Sequence, residues 1–561
     1  MATSIIGASA EGPILVCDEG LSVWGGVDPS SGRIVDSLHP QFGRTLAGHI
    51  VMMPTSRGSC TGSGVLLGLA FAGTAPRALI FREAEDILTL GALVAGRLFG
   101  HHITVLRLPA EEYDALARES SARITETRLM AGAHSWPLQP AGEGVTLDLS
   151  DGDRAFLEGR QGEAARLAME IIVTMARAQG ARRLADISRV HIDGCIHASP
   201  ALLTFARAMA DKGAHVRVPT TMNAISVDHA NWRAQGVDEA FGLPAAGLAD
   251  AYVEMGARPS FTCAPYLLPA PPAIGEDIAW AESNAVIYAN SVLGARTVKH
   301  ADLMDLCIAL TGRTARTGVY LNDNRAPRRI IDVSRPQAAD ESFWPMLGWL
   351  VGQAAPDRIP LIRGLEGETP SEDDLKALCA AYGTTSAAPM LHVAGITPEA
   401  DLPPAPDADH AAITAADFAR LWQAFNKGAA QVDLVAFGSP HFSADECSAL
   451  ARLMKGRHVA RDVTAIITLG RATLEAIGAS GVRASLEAAG VKIVPDLCWC
   501  SISEPVFPPQ ARVLMTNSGK YAHYAPGLSK REVRFGSLAE CADTACTGRA
   551  PAAPPHWITA A

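Results

Sequence analysis

The run His49-Ile50-Val51-Met52-Met53 is apolar at all but its first position and reads as a strand buried on both faces, and Val65-Leu66-Leu67-Gly68-Leu69-Ala70-Phe71 behind it reads as a helix. Residues 77–81 repeat the strand pattern, residues 86–99 the helical one, and residues 103–106 give another strand. Upstream, residues 14–37 read as a hairpin-like pair of strands about the turn cluster Asp28-Pro29-Ser30-Ser31-Gly32. The polar stretch 111–127 and Ala131-Gly132-Ala133-His134-Ser135 read as a connection, so a first small domain is predicted over residues 1–135.

The alternation then resumes, with a helix over 163–179, a strand over 183–192, a helix over 201–212 and a strand over 216–218. Such alternation predicts a parallel α/β architecture with both sheet faces covered. Proline-rich residues 397–407 read as a linker that separates one α/β region, 136–400, from another, 408–548. The latter opens with a strand over 433–437 running into Gly438-Ser439-Pro440-His441, followed by a helix over 444–454. The Pro- and Ala-rich residues 549–561 read as a disordered tail.

Composition sharpens this picture. A chain of 561 residues calls for several cores, and 48% hydrophobic against 19% charged residues is ample to build them. The formal net charge of -11 opposes a nucleic-acid or anionic-membrane partner. Neither a basic, apolar leader nor an apolar run long enough to span a bilayer is present, so a soluble cytoplasmic protein is expected, monomeric or homo-oligomeric, whose partner is a small molecule.

Chemistry concentrates first in Pro54-Thr55-Ser56-Arg57-Gly58-Ser59-Cys60-Thr61-Gly62-Ser63-Gly64, a turn between the predicted strand and helix. Backbone N–H groups at a helix N-terminus favour an anion, and Arg57 adds a cation. The loop matches neither the Walker pattern nor the dinucleotide fingerprint. The 11 cysteines are scattered, and Cys498-x-Cys500 and Cys541-x4-Cys546 lack the usual two-residue spacing of a zinc ribbon. Cys17, Cys195, Cys307, Cys379 and Cys447 read as small buried hydrophobes, whereas Cys263, Cys498 and Cys541 fall in loop-like or strand-end positions.

Leu21-Ser22-Val23-Trp24-Gly25-Gly26-Val27-Asp28-Pro29 with Arg57-Gly58-Ser59-Cys60-Thr61-Gly62-Ser63-Gly64 resembles the small swivelling domain of aconitase X. The resemblance continues in family order through His191-Ile192-Asp193-Gly194, Pro219-Thr220-Thr221-Met222-Asn223-Ala224, Thr262-Cys263-Ala264-Pro265-Tyr266, Ala279-Trp280-Ala281-Glu282-Ser283-Asn284-Ala285, Ala289-Asn290-Ser291-Val292-Leu293-Gly294-Ala295-Arg296-Thr297, Gly438-Ser439-Pro440-His441 and Thr516-Asn517-Ser518. It implies a small swivelling β/α domain fused to a large multi-subdomain α/β/α catalytic region of aconitase type.

The resemblance also implies an iron–sulfur cluster, of the 2Fe–2S kind, on Cys263, Cys498 and Cys541, with Cys500, Cys546 and Cys60 in reserve. It implies a swivelling-domain serine, Ser59 or Ser63, as the base that removes a substrate proton, with Arg57 stabilising the alkoxide. Thr61, His191, Asp193, Asn223, Glu282, Ser283, Asn284, Ser439, His441, Asn517, Ser518 and Lys520 are the candidate substrate-binding residues, and Arg296 reads as a structural ion-pair partner. A carboxylate in an apolar setting, such as Glu282, suits a substrate amine. The single-chain arrangement resembles family members that dehydrate cis-3-hydroxy-L-proline; the two-chain arrangement resembles those acting on mevalonate 5-phosphate. A hydro-lyase of another small or phosphorylated hydroxy acid, an aconitase-type isomerase and a cluster-bearing regulator are the alternatives.

Overall fold

In a computed structural model, residues 1–36, 39–57 and 60–559 are described. The chain divides into two compact units, and each is built from interrupted stretches of sequence. Among the described residues no helix is long and apolar enough to cross a membrane.

The first unit comprises Met1–Thr220, Asp250–Ala257 and Lys299–Gly318. Its main sheet has nine strands, in the order His134–Pro137, Arg128–Ala131, Ser121–Ile124, Ala10–Val16, Ile50–Met53, Ala78–Phe81, Thr104–Arg107, Thr3–Ile6 and Gln139–Pro140. The four strands from Ala10–Val16 to Thr104–Arg107 are mutually parallel, and Ile50–Met53 and Ala78–Phe81 are buried at every position, as their uninterrupted apolar runs require. Two expectations fail here. The segment 111–127 is not a connection: it holds the helix Ala110–Leu116 and the strand Ser121–Ile124, whose alternating exposure disguised it as polar loop. The hairpin around Asp28 reduces to the single bridge Val27 to Ile34, although the turn itself forms, with Asp28 Oδ1 accepting the Ser30 and Ser31 N–H groups at 2.9 and 2.8 Å.

Helix Gly62–Phe71 follows the glycine-rich loop, and its small residues allow close packing. A β-carbon on Gly64 would lie 2.5 Å from Leu202 Cδ2, and one on Gly68 would lie 3.0 Å from Ser199 Oγ. Both partners belong to the start of helix Pro200–Asp211, whose cap residue Ser199 also donates to the Gly64 carbonyl at 3.2 Å. The neighbouring helix Ile87–Phe99 approaches as closely, since a β-carbon on Gly91 would meet the Ser63 carbonyl oxygen at 2.6 Å.

The second unit comprises Thr221–Ala249, Arg258–Val298 and Val319–Ala561. It carries two wholly parallel sheets. One runs His392–Val393, Pro360–Arg363, Arg329–Val333, Asp409–Ile413; the other runs Val491–Pro495, Thr464–Leu469, Leu434–Phe437, Val513–Thr516, Glu532–Phe535. The expected linker at 397–407 lies between two strands of the first sheet, so it separates no domains. It is pinned by Glu399, which pairs with Arg296 at 2.7 Å and with the fully buried Arg325. The residues expected as a disordered tail are anchored as far as Thr559: Trp557 is buried and meets Phe418 and Phe343 edge-on, at 5.7 and 6.1 Å between ring centroids. Proline and alanine content concealed this because one aromatic side chain does the anchoring.

Because Gly64 is small for steric reasons, Gly64→Val should destabilise the protein by about 1–3 kcal/mol through overpacking against Leu202. Adding Leu202→Ala should recover part of that loss, read as thermal midpoints of the single and double variants. A Gly64→Val protein as stable as its parent would refute the packing account.

Candidate active site

Three strands of the five-stranded parallel sheet of the second unit send a loop or helix from their carboxyl ends into one polar cluster, the position where parallel α/β sheets bind ligands. Strand Leu434–Phe437 leads to Ser439 and His441, Val491–Pro495 to Cys498 and Cys500, and Val513–Thr516 to Ser518 and Lys520. Cys263 joins them from the segment after Thr262, and Glu282 and Asn284 from the start of helix Ser283–Ser291.

Cys263 and Cys498 are buried side by side with Ala224, and Cys500 packs against them. Cys498 accepts hydrogen bonds from the thiols of Cys263 and Cys500, and these bonds, with the charge of Lys520 adding to them, hold its own thiol well below the ordinary value despite burial. Burial, together with donation to Cys498, pushes Cys263 well above the ordinary value. Donation to Cys498 and burial do the same to Cys500. The Cys263 sulfur also accepts the His441 backbone N–H at 3.2 Å.

Lys520 is buried although lysines are usually exposed. Burial opposes its charge, but Glu282 and the three cysteines outweigh that and hold its pKa well above the usual lysine value. Its Nζ donates to Glu282 Oε1 at 2.6 Å. The same oxygen accepts Asn284 Nδ2 at 2.6 Å, and Glu282 Oε2 faces Asn223 Nδ2 at 3.4 Å. Asn284 Nδ2 also donates to the Cys263 carbonyl at 3.0 Å, while its Oδ1 accepts the Tyr266 hydroxyl at 2.8 Å. Tyr266 stacks on Tyr288 with centroids 4.0 Å apart, so the amide orientation is fixed by packing as well as by bonds. Glu282 precedes the helix as its cap residue yet makes no cap bond, which leaves its carboxylate turned to Lys520.

Other predicted residues have local duties. The ring of His441 is fully buried, with Nε2 at 2.6 Å from the Leu497 carbonyl and Nδ1 at 3.2 Å from Thr262 Oγ1, so it holds protein segments together. Burial lowers its pKa and keeps it neutral. Ser518 caps helix Gly519–Ser529, accepting the Tyr521 N–H at 3.0 Å and donating to the Ser439 carbonyl. Ser439 Oγ is itself buried without a hydrogen-bond partner. Asn517 and Ser283 are half-buried beside these groups in sequence.

Cys541 does not join the sulfur cluster. It lies on helix Leu538–Thr547, whose capping box between Ser537 and Glu540 fixes its orientation, and it is fully buried in an apolar core with Val435 and Phe437. Cys500, a reserve candidate from the sequence, packs against Cys263 and Cys498 instead, and the Cys498-x-Cys500 spacing is the signal that places it there. Cys546 packs by Met454 at 3.8 Å between sulfurs.

In the first unit, Ser59 lies outside the described residues. Ser63 is fully buried and its hydroxyl donates to the carbonyls of Cys60 at 3.1 Å and Asp302 at 3.0 Å. Arg57 is surface-exposed and faces Glu19 at 3.2 Å and Asp36 at 3.6 Å. Thr61 and Cys60 are buried at the helix entrance. His191 and Asp193 are buried where the strand Val190–Ile192 ends; the turn is anchored by Asp305, which sequence reasoning missed and whose Oδ2 accepts the Asp193 and Gly194 N–H groups at 2.7 and 3.1 Å. Burial, against those bonds, pushes Asp305 up to about 6. A surface groove lined by Glu11, Arg77, His102 and Arg123 contains none of the predicted site residues.

The donor set of the second unit suits an iron–sulfur cluster, since two buried thiols and a half-buried one, with a nearby ammonium and a backbone N–H donor, are the soft, charge-compensated ligands such a cluster needs. The three cysteines are free thiols, and among the described residues no three His, Cys, Asp or Glu side chains form a ready cage for a metal ion.

Sequence comparison places these features in a lineage. Family profiles match along the chain: the aconitase X swivel domain over residues 1–131, the first domain over 146–323, the second over 327–423 and the third over 432–547. Curated relatives include a cis-3-hydroxy-L-proline dehydratase of Pseudomonas aeruginosa, 48% identical over 99% of this chain and 98% of the relative. A second, from Hypocrea jecorina, is 44% identical over 99% and 97%. The phosphomevalonate dehydratase large subunit of Methanocaldococcus jannaschii is 31% identical over 70% of this chain and 98% of its own. The crystal structure of Thermococcus kodakaraensis aconitase X in its holo-form superposes with a TM-score of 0.65 at 29% identity, covering 71% of this chain and all of that one. A swivelling-domain sequence and three catalytic-domain sequences in one polypeptide, with a structural match of that extent, establish that the chain belongs to the aconitase X family, whose aconitase-type members carry an iron–sulfur cluster.

Proposed function

We propose that this protein is a hydro-lyase that converts cis-3-hydroxy-L-proline to 1-pyrroline-2-carboxylate, with a 2Fe–2S cluster on Cys263, Cys498 and Cys500. The observation that carries the reading is the pairing of buried Lys520 with half-buried Glu282 beside the three thiols. A cyclic amino acid is a zwitterion, and opposite charges held together in a low-dielectric setting match its ammonium and carboxylate, with Glu282 on the amine and Lys520 on the carboxylate. The near full-length likeness to two cis-3-hydroxy-L-proline dehydratases supports the same substrate. Phosphorylated mevalonate, by contrast, offers no amine for Glu282.

A cluster with an open coordination position supplies Lewis acidity that polarises a substrate hydroxyl. The chain's own groups do the rest. Asn284 and Asn223 hold the Glu282 carboxylate, and the unpartnered Ser439 hydroxyl is a buried donor available to a substrate oxygen. When the 3-hydroxyl is cis to the carboxylate, the 2-hydrogen lies on the opposite ring face, so elimination is anti and the base works from the face away from the departing hydroxyl. Ser59 is our candidate for that base; the Ser63 proton is engaged by two carbonyls. Loss of the 2-proton and of water leaves an enamine, which tautomerises to the cyclic imine.

Three outcomes test the reading. Anaerobically purified Cys263→Ser, Cys498→Ser and Cys500→Ser proteins should each lose the visible cluster absorption, whereas Cys541→Ala should keep it; a brown Cys500→Ser and a colourless Cys541→Ala would reverse the assignment. Ser59→Ala should lower kcat by roughly 10²–10⁴-fold and abolish exchange of the substrate 2-hydrogen with deuterium oxide, while Ser63→Ala should retain exchange. Equal exchange in the two variants would remove Ser59 from the mechanism. Glu282→Gln and Lys520→Met should each weaken cis-3-hydroxy-L-proline use by roughly 10–100-fold in kcat/KM, the scale of a lost charged hydrogen bond. The double variant should regain thermal stability but not activity, because no buried charge is left unpaired. A parent enzyme that prefers mevalonate 5-phosphate would overturn the substrate.

A further inference from the structure

The segments that deliver Cys263 and Cys498 are built alike. Two residues before each cysteine stands a non-glycine residue in the left-handed region, Phe261 at φ 39° and Asp496 at φ 71°. Such backbone is unfavourable for side chains other than glycine and persists only where the surroundings impose it. One residue before each cysteine stand Thr262 and Leu497.

Both pairs of positions are bridged by a single side chain. The Arg471 guanidinium binds Asp496 through two bonds, Nε to Oδ1 at 2.9 Å and Nη2 to Oδ2 at 3.0 Å, and lies over the Phe261 ring 4.3 Å from its centroid. Asp496 Oδ2 also accepts the His229 N–H at 3.2 Å. One residue further along, the His441 ring spans Thr262 Oγ1 and the Leu497 carbonyl, and its backbone N–H reaches the Cys263 sulfur. Gly470, preceding Arg471, lets the helix start approach: a β-carbon there would lie 2.8 Å from Thr262 Cβ. Arg471 is the first residue of helix Arg471–Ala479, where a cation opposes the helix dipole, so helix stability does not account for it.

We propose that Arg471 and His441 are the two rungs of a clamp that sets the separation of the Cys263 and Cys498 segments, and so pre-forms the sulfur cradle before any cluster is loaded. The proposal rests on the reading of Cys263 and Cys498 as cluster ligands. Arg471 is a positioning residue: it acts through Phe261 and Asp496.

The test uses the full-length protein with and without cluster. In the loaded protein, Arg471→Met and Asp496→Asn should each speed removal of iron by a ferrous chelator about tenfold and alter the visible circular dichroism of the cluster. The double variant should do no more than either single one, because both belong to one rung. Arg471→Lys, which keeps a charge for Asp496, should fall between. Arg329→Met, which breaks an ion pair with Asp409 on the other sheet, serves as the control for lost stability and should keep the parental chelation rate and spectrum. In cluster-free protein, diamide oxidation should join Cys263 to Cys498 about tenfold more slowly in Arg471→Met than in the parent, read by peptide mass spectrometry. If Cys263→Ser or Cys498→Ser keeps a normal cluster, the ligand reading fails, yet the oxidation rates still report on the clamp. Parental chelation, spectrum and oxidation in Arg471→Met would overturn the proposal.

Discussion

Burying the Lys520 ammonium beside three thiols is the constraint on which the second unit's polar cluster depends. A buried ammonium is costly unless it is paired and hydrogen-bonded. Lys520 in turn needs an anion, which Glu282 provides, and Glu282 needs the amides of Asn284 and Asn223 to hold it in place. Each partner brings in the next, and the chain of dependence ends at Tyr266, whose ring is stacked in the apolar core. Removing any member strands its neighbour as an uncompensated group. The polar cluster is therefore one interacting network, in which single substitutions cost more than the bond they delete.

Parallel strands make that network possible. Loops leaving the same edge of one sheet arrive together regardless of their distance in sequence, which is how residues 439, 498 and 520 come to be neighbours. In the first unit the sheet serves differently. Close-packed helices around Gly64, Gly68 and Gly91 remove space that side chains would fill, and the Ser63 hydroxyl is spent on holding backbone to backbone.

The sequence pattern reveals the parallel architecture because strands covered on both faces are continuous apolar runs, as at Ile50–Met53 and Leu434–Phe437. It conceals whatever depends on one distant partner. Residues 397–407 look like a linker because nothing local announces that Glu399 meets Arg325; residues 549–559 look frayed because Trp557 finds its slot among aromatic rings remote in sequence. At the cluster, motif resemblance picks out Cys263, Cys498, Glu282, Asn284 and Lys520, which the fold brings together, but it does not distinguish Cys500, which packs with them, from Cys541, which packs in another core, because that difference is tertiary information. His441 shows the same limit: a histidine at a strand end invites a ligand role, and only its two bonded ring nitrogens disclose a brace.

The interleaving of the two units has a consequence for biosynthesis. The first unit is begun at Met1 but completed by Lys299–Gly318, and the second is begun at Thr221 before the first is finished. A ribosome delivering this chain in order cannot release a finished first unit at residue 220. The pocket for Ser63, which needs the Asp302 carbonyl, stays open until residue 302 has left the exit tunnel, by which time parts of the second unit are already outside. The first unit therefore cannot close fully before the early stretches of the second have been made.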